Sequence, residues 1–378
     1  MTRKLDRSIL EGDSIVLFRA AIRSRHTLDP YERKLITFLV AIKMTADDFV
    51  KLAKSEPAKA ERMVMQYIID ERVRVENKQI TAGTLSNTVK AVRLLLEMND
   101  VIFNWRKLRR LIPPVKRFAN DRIPSREELL KMLDATDLRG RALTLIFISS
   151  GIREGAVESL KAGDVSATEV DGKLVAGRLV AYSGDADQYV TFISPEAYNA
   201  MLSYLDYRRQ NGENITKSSP LIRDLFDAKN NVYARHNKPD VNDARTLDGH
   251  AIRMLYNRLF YALGFRAGPR KRHEFSVHSF RKWFKTKAES AGMKPIEVET
   301  LMNHSTGITD SYWRPTENDM LQAYVKVVPS LSISKAAELE IKLEQEKTLN
   351  SEKIASLEHR LNSLVASALG AKAEVPKQ

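Results

Sequence analysis

Cysteine is absent from the 378 residues, which excludes a disulfide framework, a thiol nucleophile and any thiolate metal site. That absence fits a reducing compartment, and a cytoplasmic location is expected. Long apolar runs are missing as well. The longest, Leu35 to Ile42 and Leu143 to Ile148, fall far short of the roughly 20 residues a bilayer span requires, and Met1 to Val16 lacks the apolar stretch of a signal peptide. No membrane partner is expected. Histidine is scarce, at seven residues, with no His-Glu-x-x-His and no pair at i, i+4. No calcium-loop pattern occurs either, so no metal centre is expected. Neither a Gly-x-x-x-x-Gly-Lys-Ser/Thr cradle nor a Gly-x-Gly-x-x-Gly turn is present, and no cofactor is expected.

What the chain does have is apolar content of 43%, enough for sizeable cores at a length that suggests two domains. It also carries a net charge of +13. With no membrane segment, such an excess points to nucleic acid as the polyanionic partner.

Apolar spacing is helical almost throughout from Tyr31 to about Leu111. Leu85, Val89, Val92 and Leu96 recur at helical intervals behind Thr84, read as a helix cap. Residues 1–115 are thus expected to form a helical module. Pro113, Pro114 and Pro124, set among Lys116, Arg117 and Arg122, mark an extended basic linker at 116–124. Ser125-x-x-Glu128 ahead of Leu129, Leu130, Met132 and Leu133 has the form of a capping box and opens a second module, 125–330. Strands are expected only between about Ser166 and Ser194, as a hairpin of Lys173–Tyr182 and Tyr189–Ile193 around a polar turn. Helices resume at Ser194-Pro195, and Ile252, Leu255, Leu259 and Leu263 mark one that Gly264 closes.

The fold class expected is mainly α with a small β-sheet: a helical domain, an α+β domain and a helical tail over 331–378. In that tail Ile354, Leu357, Leu361, Leu364 and Ala368 repeat at 3, 4, 3, 4 spacing, with Lys347 and Asn350 at the preceding core positions. Such a seam suits either a single helix docked on the body or a short coiled coil with another copy or partner helix.

Chemistry-bearing residues gather in the second module. Ser149-Ser150-Gly151-Ile152-Arg153 runs an apolar helix into a glycine turn that exposes an arginine. His278-Ser279-Phe280-Arg281 spaces imidazole and guanidinium one helical turn apart. His304 follows an apolar helix in Leu301-Met302-Asn303-His304, and Tyr312 lies eight residues later. Singly, each has an ordinary structural account: a carbonyl-capping arginine, a surface pair, a helix-terminal histidine, a packed aromatic.

Their order and spacing together resemble the tyrosine recombinases, the integrase family of phage, Xer-type and archaeal enzymes, with archaeal members the nearest in character. The resemblance spans about Ser125 to Tyr324. It implies a helical core-binding domain followed by a catalytic domain. It also implies a site-specific recombinase that cleaves duplex DNA through a 3′-phosphotyrosyl intermediate, without metal or ATP, as an oligomer, in that family a tetramer on paired sites. In that scheme Arg153 and Arg281 clamp the phosphate, His278 is the base, His304 donates to the scissile phosphate and Tyr312 attacks, with Tyr324 the runner-up nucleophile. Arg106, Lys107, Arg109, Arg110, Lys116, Arg117, Arg270, Lys271 and Arg272 are expected to meet backbone phosphates.

Three departures from the family pattern stand out. Ala156 occupies a place often acidic, with Glu154 and Glu158 the near substitutes. Asn303 replaces a glycine, and the step from His304 to Tyr312 is one residue short, so that the usual spacing lands on Trp313. The hairpin turn, Ser183 to Gln188, lacks the lysine that protonates the leaving 5′ oxygen in the family; Arg178 and Lys173 are the nearest cations. A type IB topoisomerase-like enzyme and a non-catalytic architectural DNA-binding protein are the competing readings.

Overall fold

A computed structural model of the chain describes residues 8–23, 25–115, 122–226, 241–266, 276–305, 307 and 312–334, with helical positions scattered between 339 and 361. The chain divides into two compact units, 1–119 and 120–378. It is mostly helical with one small antiparallel sheet, the class expected. Among the described residues no helix is long and apolar enough to cross a membrane.

The first unit is built from α1 (Asp13–Ala20), α2 (Arg25–Ile42), α3 (Ala46–Ser55), α4 (Pro57–Glu76), α5 (Ala82–Glu97) and the short α6 (Trp105–Arg109). Its core sets Phe38 edge-on to both Phe49 and Tyr67, with ring centroids 5.1 Å apart in each pair. Leu85, Val89, Val92 and Leu96 all face inward, as their spacing requires. The cap of α5, however, is Thr81 and not Thr84. The Thr81 hydroxyl accepts the Thr84 amide at 2.9 Å, so Thr84 is the recipient of the cap, three residues inside the helix. In α6, Trp105 and Leu108 are buried while Arg106, Lys107 and Arg109 stay exposed.

The second unit opens with α7 (Arg126–Asp134), whose Ser125–Glu128 capping box is complete, and continues into α8 (Leu138–Ser150). Every residue of α8 from Ala142 to Ser150 is buried, so this helix is the axle of the domain. The Ser149 and Ser150 hydroxyls are kept satisfied there by the carbonyls of Leu145 and Ile146, both at 2.6 Å. The sheet follows as β1 (Val165–Val170), β2 (Lys173–Ala181) and β3 (Tyr189–Ile193), paired antiparallel in the order β1-β2-β3. The expected hairpin is the β2–β3 pair, with Ala181 opposite Tyr189. β1 was not anticipated as a strand of its own: only Val165 is buried and a register shift interrupts it at Thr168/Glu169, so it lacks a clean alternation.

Helices α9 (Pro195–Gln210), α10 (Gly249–Ala262), α11 (His278–Ser290), α12 (Pro295–Leu301) and α13 (Glu317–Leu331) complete the unit. The body does not stop at residue 330. Leu331 and Ile333 are buried, the Glu196 carboxylate accepts the backbone N–H of Ile333 at 2.8 Å and of Ser334 at 2.9 Å, and Arg126 donates to the Ile333 carbonyl at 3.1 Å. Beyond that clamp, Leu339, Leu343, Ile354, Leu357 and Leu361 are each between 53% and 62% exposed, an apolar face that docking onto the chain's own body would have covered.

Candidate active site

Three chain turns meet at one end of α8. The first is the exit from α8 itself. Gly151 caps it at φ 63°, in the left-handed region, and a Cβ there would lie 2.5 Å from the Phe284 ring, so both conformation and space demand glycine. The turn delivers Arg153 half-buried at its far side. The second is the first turn of α11, which carries Arg281. The third follows α12, where Asn303 also adopts a left-handed φ of 51°. A glycine is the usual residue in such a position, and asparagine is among the few others that tolerate it, so Asn303 suits the backbone demand of this turn.

Arg281 holds these turns together. Only 3% exposed, it donates from Nη1 to the Gly151 carbonyl and from Nη2 to the Met302 carbonyl, and Nη2 also lies 2.7 Å from His304 Nε2. Arg153 Nη2 donates to the Asn303 carbonyl at 2.9 Å. His304 Nδ1 meets the Glu299 carboxylate, which also takes the Lys285 ammonium. Since the carboxylate can only accept, Nδ1 carries a proton and Nε2 accepts from Arg281. His304 is therefore engaged at Nε2 through a lone pair, and donation from that nitrogen to a phosphate, as expected from sequence, requires both release from Arg281 and a second proton on the ring. Burial, with Lys285 and His304 outweighing it, leaves the Glu299 carboxyl below its ordinary range.

The electrostatics of the pair are unusual within this unit. Arg208 and Arg223, both fully buried, share the Glu213 carboxylate, and Arg178 is bound by Glu317. Among the described residues neither Arg153 nor Arg281 has an ion-pair partner. Burial, then the neighbouring Arg153 cation, push the Arg281 guanidinium below its ordinary value. Two cations are thus gathered without a direct ion pair to either, Glu299 acting on Arg281 only from beyond His304. Arg153 lines an open cleft of about 550 Å³ together with Tyr182, Asp187, Asn303, His304 and neighbouring side chains, while Arg281 reaches it through His304.

Other expected residues fall elsewhere. His278 is exposed at the start of α11 and Tyr312 is 85% exposed; neither lines the cleft. Tyr324 is wholly buried, and its hydroxyl donates to the Ser149 carbonyl at 2.8 Å, which excludes it as the alternative nucleophile. Arg178 is gripped by both oxygens of Glu317, at 2.6 and 3.0 Å, and is not free to serve as an acid. Lys173 sits beside Val170 at the β1–β2 turn, the far end of β2 and about 26 Å from Ala181 by strand rise. Glu154 is paired with Arg253, while Glu158 is exposed.

In the first unit Arg106, Arg109 and Arg110 surround Trp105 with Arg93, and Lys107 reaches Glu61 at 3.3 Å. Lys116, Arg117, Arg270, Lys271 and Arg272 lie outside the described residues. Sequence reasoning missed Asn303 and Tyr182 as parts of the site. The first was signalled by its place where a glycine was due. Tyr182 directly precedes the hairpin turn, and its only signal was that place at the end of β2.

No protein-family model matches the chain, and no curated protein matches it in sequence. Solved structures do. A XerA recombinase is 17% identical over 88% of this chain and 97% of that one, with a TM-score of 0.37. The Tn1549 transposon integrase in complex with transposon right end DNA is 13% identical over 82% of this chain and 98% of that one, at 0.48. A lambda integrase dimer bound to a core site is 14% identical over 82% of this chain and 79% of that one, at 0.48.

Proposed function

We propose that the chain is a site-specific DNA recombinase of the tyrosine type, cleaving and rejoining duplex DNA through a 3′-phosphotyrosyl intermediate. The observation that carries this reading is the pair Arg153 and Arg281, brought together from segments 128 residues apart with no ion-pair partner for either among the described residues. A phosphodiester under attack develops charge on its non-bridging oxygens, and two guanidiniums fixed by backbone carbonyls are preorganised to receive it.

Tyr312 is the nucleophile in this reading. Its exposure leaves the phenol accessible to DNA, and His278, also exposed, is the base that takes its proton in this reading. As the phosphate enters, His304 leaves Arg281, takes a second proton from solvent at Nε2 and donates it in a hydrogen bond to a phosphate oxygen, while Glu299 keeps its ring oriented. The phosphotyrosyl bond conserves the energy of the broken phosphodiester, so rejoining needs no nucleotide. The basic face of α6 supplies sequence-independent contacts to the backbone, and the exposed apolar face of the tail supports association of copies on paired sites.

The test is covalent trapping. A duplex enriched by the full-length chain from a randomised library, nicked close to the cleavage point, should yield a protein–DNA adduct that survives denaturant. A second reading, a DNA-binding protein without catalysis, is favoured by one observation, the absence of lysine from the hairpin turn; it is the outcome if tight, selected binding yields no adduct.

A further inference from the structure

The leaving 5′ oxygen must be protonated as its bond to phosphorus breaks, and neither expected cation can do it: Arg178 is held by Glu317 and Lys173 stands at the opposite end of β2. At the site end of the hairpin two side chains line the cleft, Asp187 and Tyr182, and Tyr182 is the phenol of the two. It is the first residue beyond β2, and it lines the cleft with Arg153 and His304. Its backbone is held at φ 54°, a left-handed conformation that glycine or asparagine adopts freely and a bulky aromatic rarely does. The ring rests 6.3 Å from that of Tyr189, tilted at 43°, and the hydroxyl lies against Gly155, 3.7 Å from where a Cβ would stand. Among the described residues nothing hydrogen-bonds to that hydroxyl, which leaves its proton available to a ligand.

We propose that Tyr182 is the general acid for the leaving 5′ oxygen, taking the part that lysine has in the family; this rests on the recombinase reading. As the Tyr312 oxygen bonds to phosphorus and the bond from phosphorus to the 5′ oxygen breaks, the Tyr182 O–H proton passes to that oxygen. Rejoining reverses each transfer: Tyr182 recovers the proton from the attacking 5′ hydroxyl. Burial raises the Tyr182 phenol above its ordinary value while Arg153 and Arg281 pull the other way. The group is therefore protonated at neutral pH, and the phenolate it leaves behind is stabilised by the same two cations.

The experiment compares Tyr182→Phe with the parent chain on library-selected duplexes whose scissile phosphate carries either the natural 5′ oxygen or a 5′ sulfur. Sulfur departs as a thiolate without a proton, because a thiol pKa is about 8.5. Tyr182→Phe should form adduct about 100-fold or more slowly on the oxygen substrate and within a few-fold of the parent on the sulfur substrate. A rate equal to the parent on oxygen overturns the proposal. So does an equal loss on both substrates, which would make the tyrosine a structural prop. If the parent forms no adduct on either, the recombinase reading itself fails, and this proposal with it.

Discussion

Replacing each clamp arginine by lysine separates the two jobs that a guanidinium performs here. Arg281 supplies donors to three acceptors, the Gly151 and Met302 carbonyls and His304 Nε2, in a position only 3% exposed. A lysine ammonium keeps the charge but, as one nitrogen, cannot span acceptors now served from two. At least one buried acceptor and as many as two are left without a donor, at about 1–3 kcal/mol each, so Arg281→Lys should lose about 2–4 kcal/mol of unfolding free energy. Arg153 makes one such bond, to the Asn303 carbonyl, and is half-buried. Arg153→Lys should therefore lose only about 0.5–1.5 kcal/mol. In cleavage the two should behave alike, since each deprives the developing phosphate charge of a planar fork, and a fall of roughly 100- to 1,000-fold in adduct formation is expected from either. DNA affinity should change far less in both. Denaturant melts of each variant, set beside covalent trapping and equilibrium binding on the same duplex, give the comparison. Equal stability losses would refute the role of Arg281 as the strut between the turns. Losses of binding as large as those of cleavage would reduce both residues to ordinary phosphate contacts.

Tyr312→Phe removes one exposed oxygen and should abolish the adduct while leaving affinity intact. Tyr324→Phe should retain the adduct and lose about 1 kcal/mol of stability, the worth of the bond to Ser149; the reverse pattern would exchange their roles. Arg109→Glu with Arg110→Glu, on and just after α6, should weaken binding to every duplex and flatten its dependence on salt, and an unchanged slope in a salt titration would make this a merely solvated face. Ending the chain after Ser334 should preserve the melt and single-site cleavage but impair synapsis of two sites. Ending it after Ser330 should lower the melt as well, because Leu331 and Ile333 are buried; identical melts would show that the Glu196 clamp adds nothing.

The features legible in the sequence were those fixed by near neighbours along the chain. The Ser125–Glu128 box closes within a single helical turn. The glycine turn before Arg153 is set by one backbone angle, and the β2–β3 hairpin by alternation and a polar turn. What escaped depends on partners far off in sequence. Arg178 looked like a spare cation because Glu317, its partner, is 139 residues away. Tyr324 looked like a spare phenol until α13 buried it beside α8. Thr81 and Thr84 both suit a cap by composition, and only the backbone entry to α5 decides between them. Asn303 read only as a missing glycine, whereas its left-handed backbone, at φ 51°, is a conformation asparagine shares with glycine.

The grip of Glu196 on the N–H groups of Ile333 and Ser334 has a mechanical consequence. Glu196 stands in the first turn of α9, three residues after Ile193 ends β3, and β3 begins seven residues after Tyr182. A tension applied along the tail is thus delivered at its root to the strand that anchors the hairpin turn, not dissipated through a slack tether. A pull on that root by another molecule therefore arrives one strand's length from the cleft.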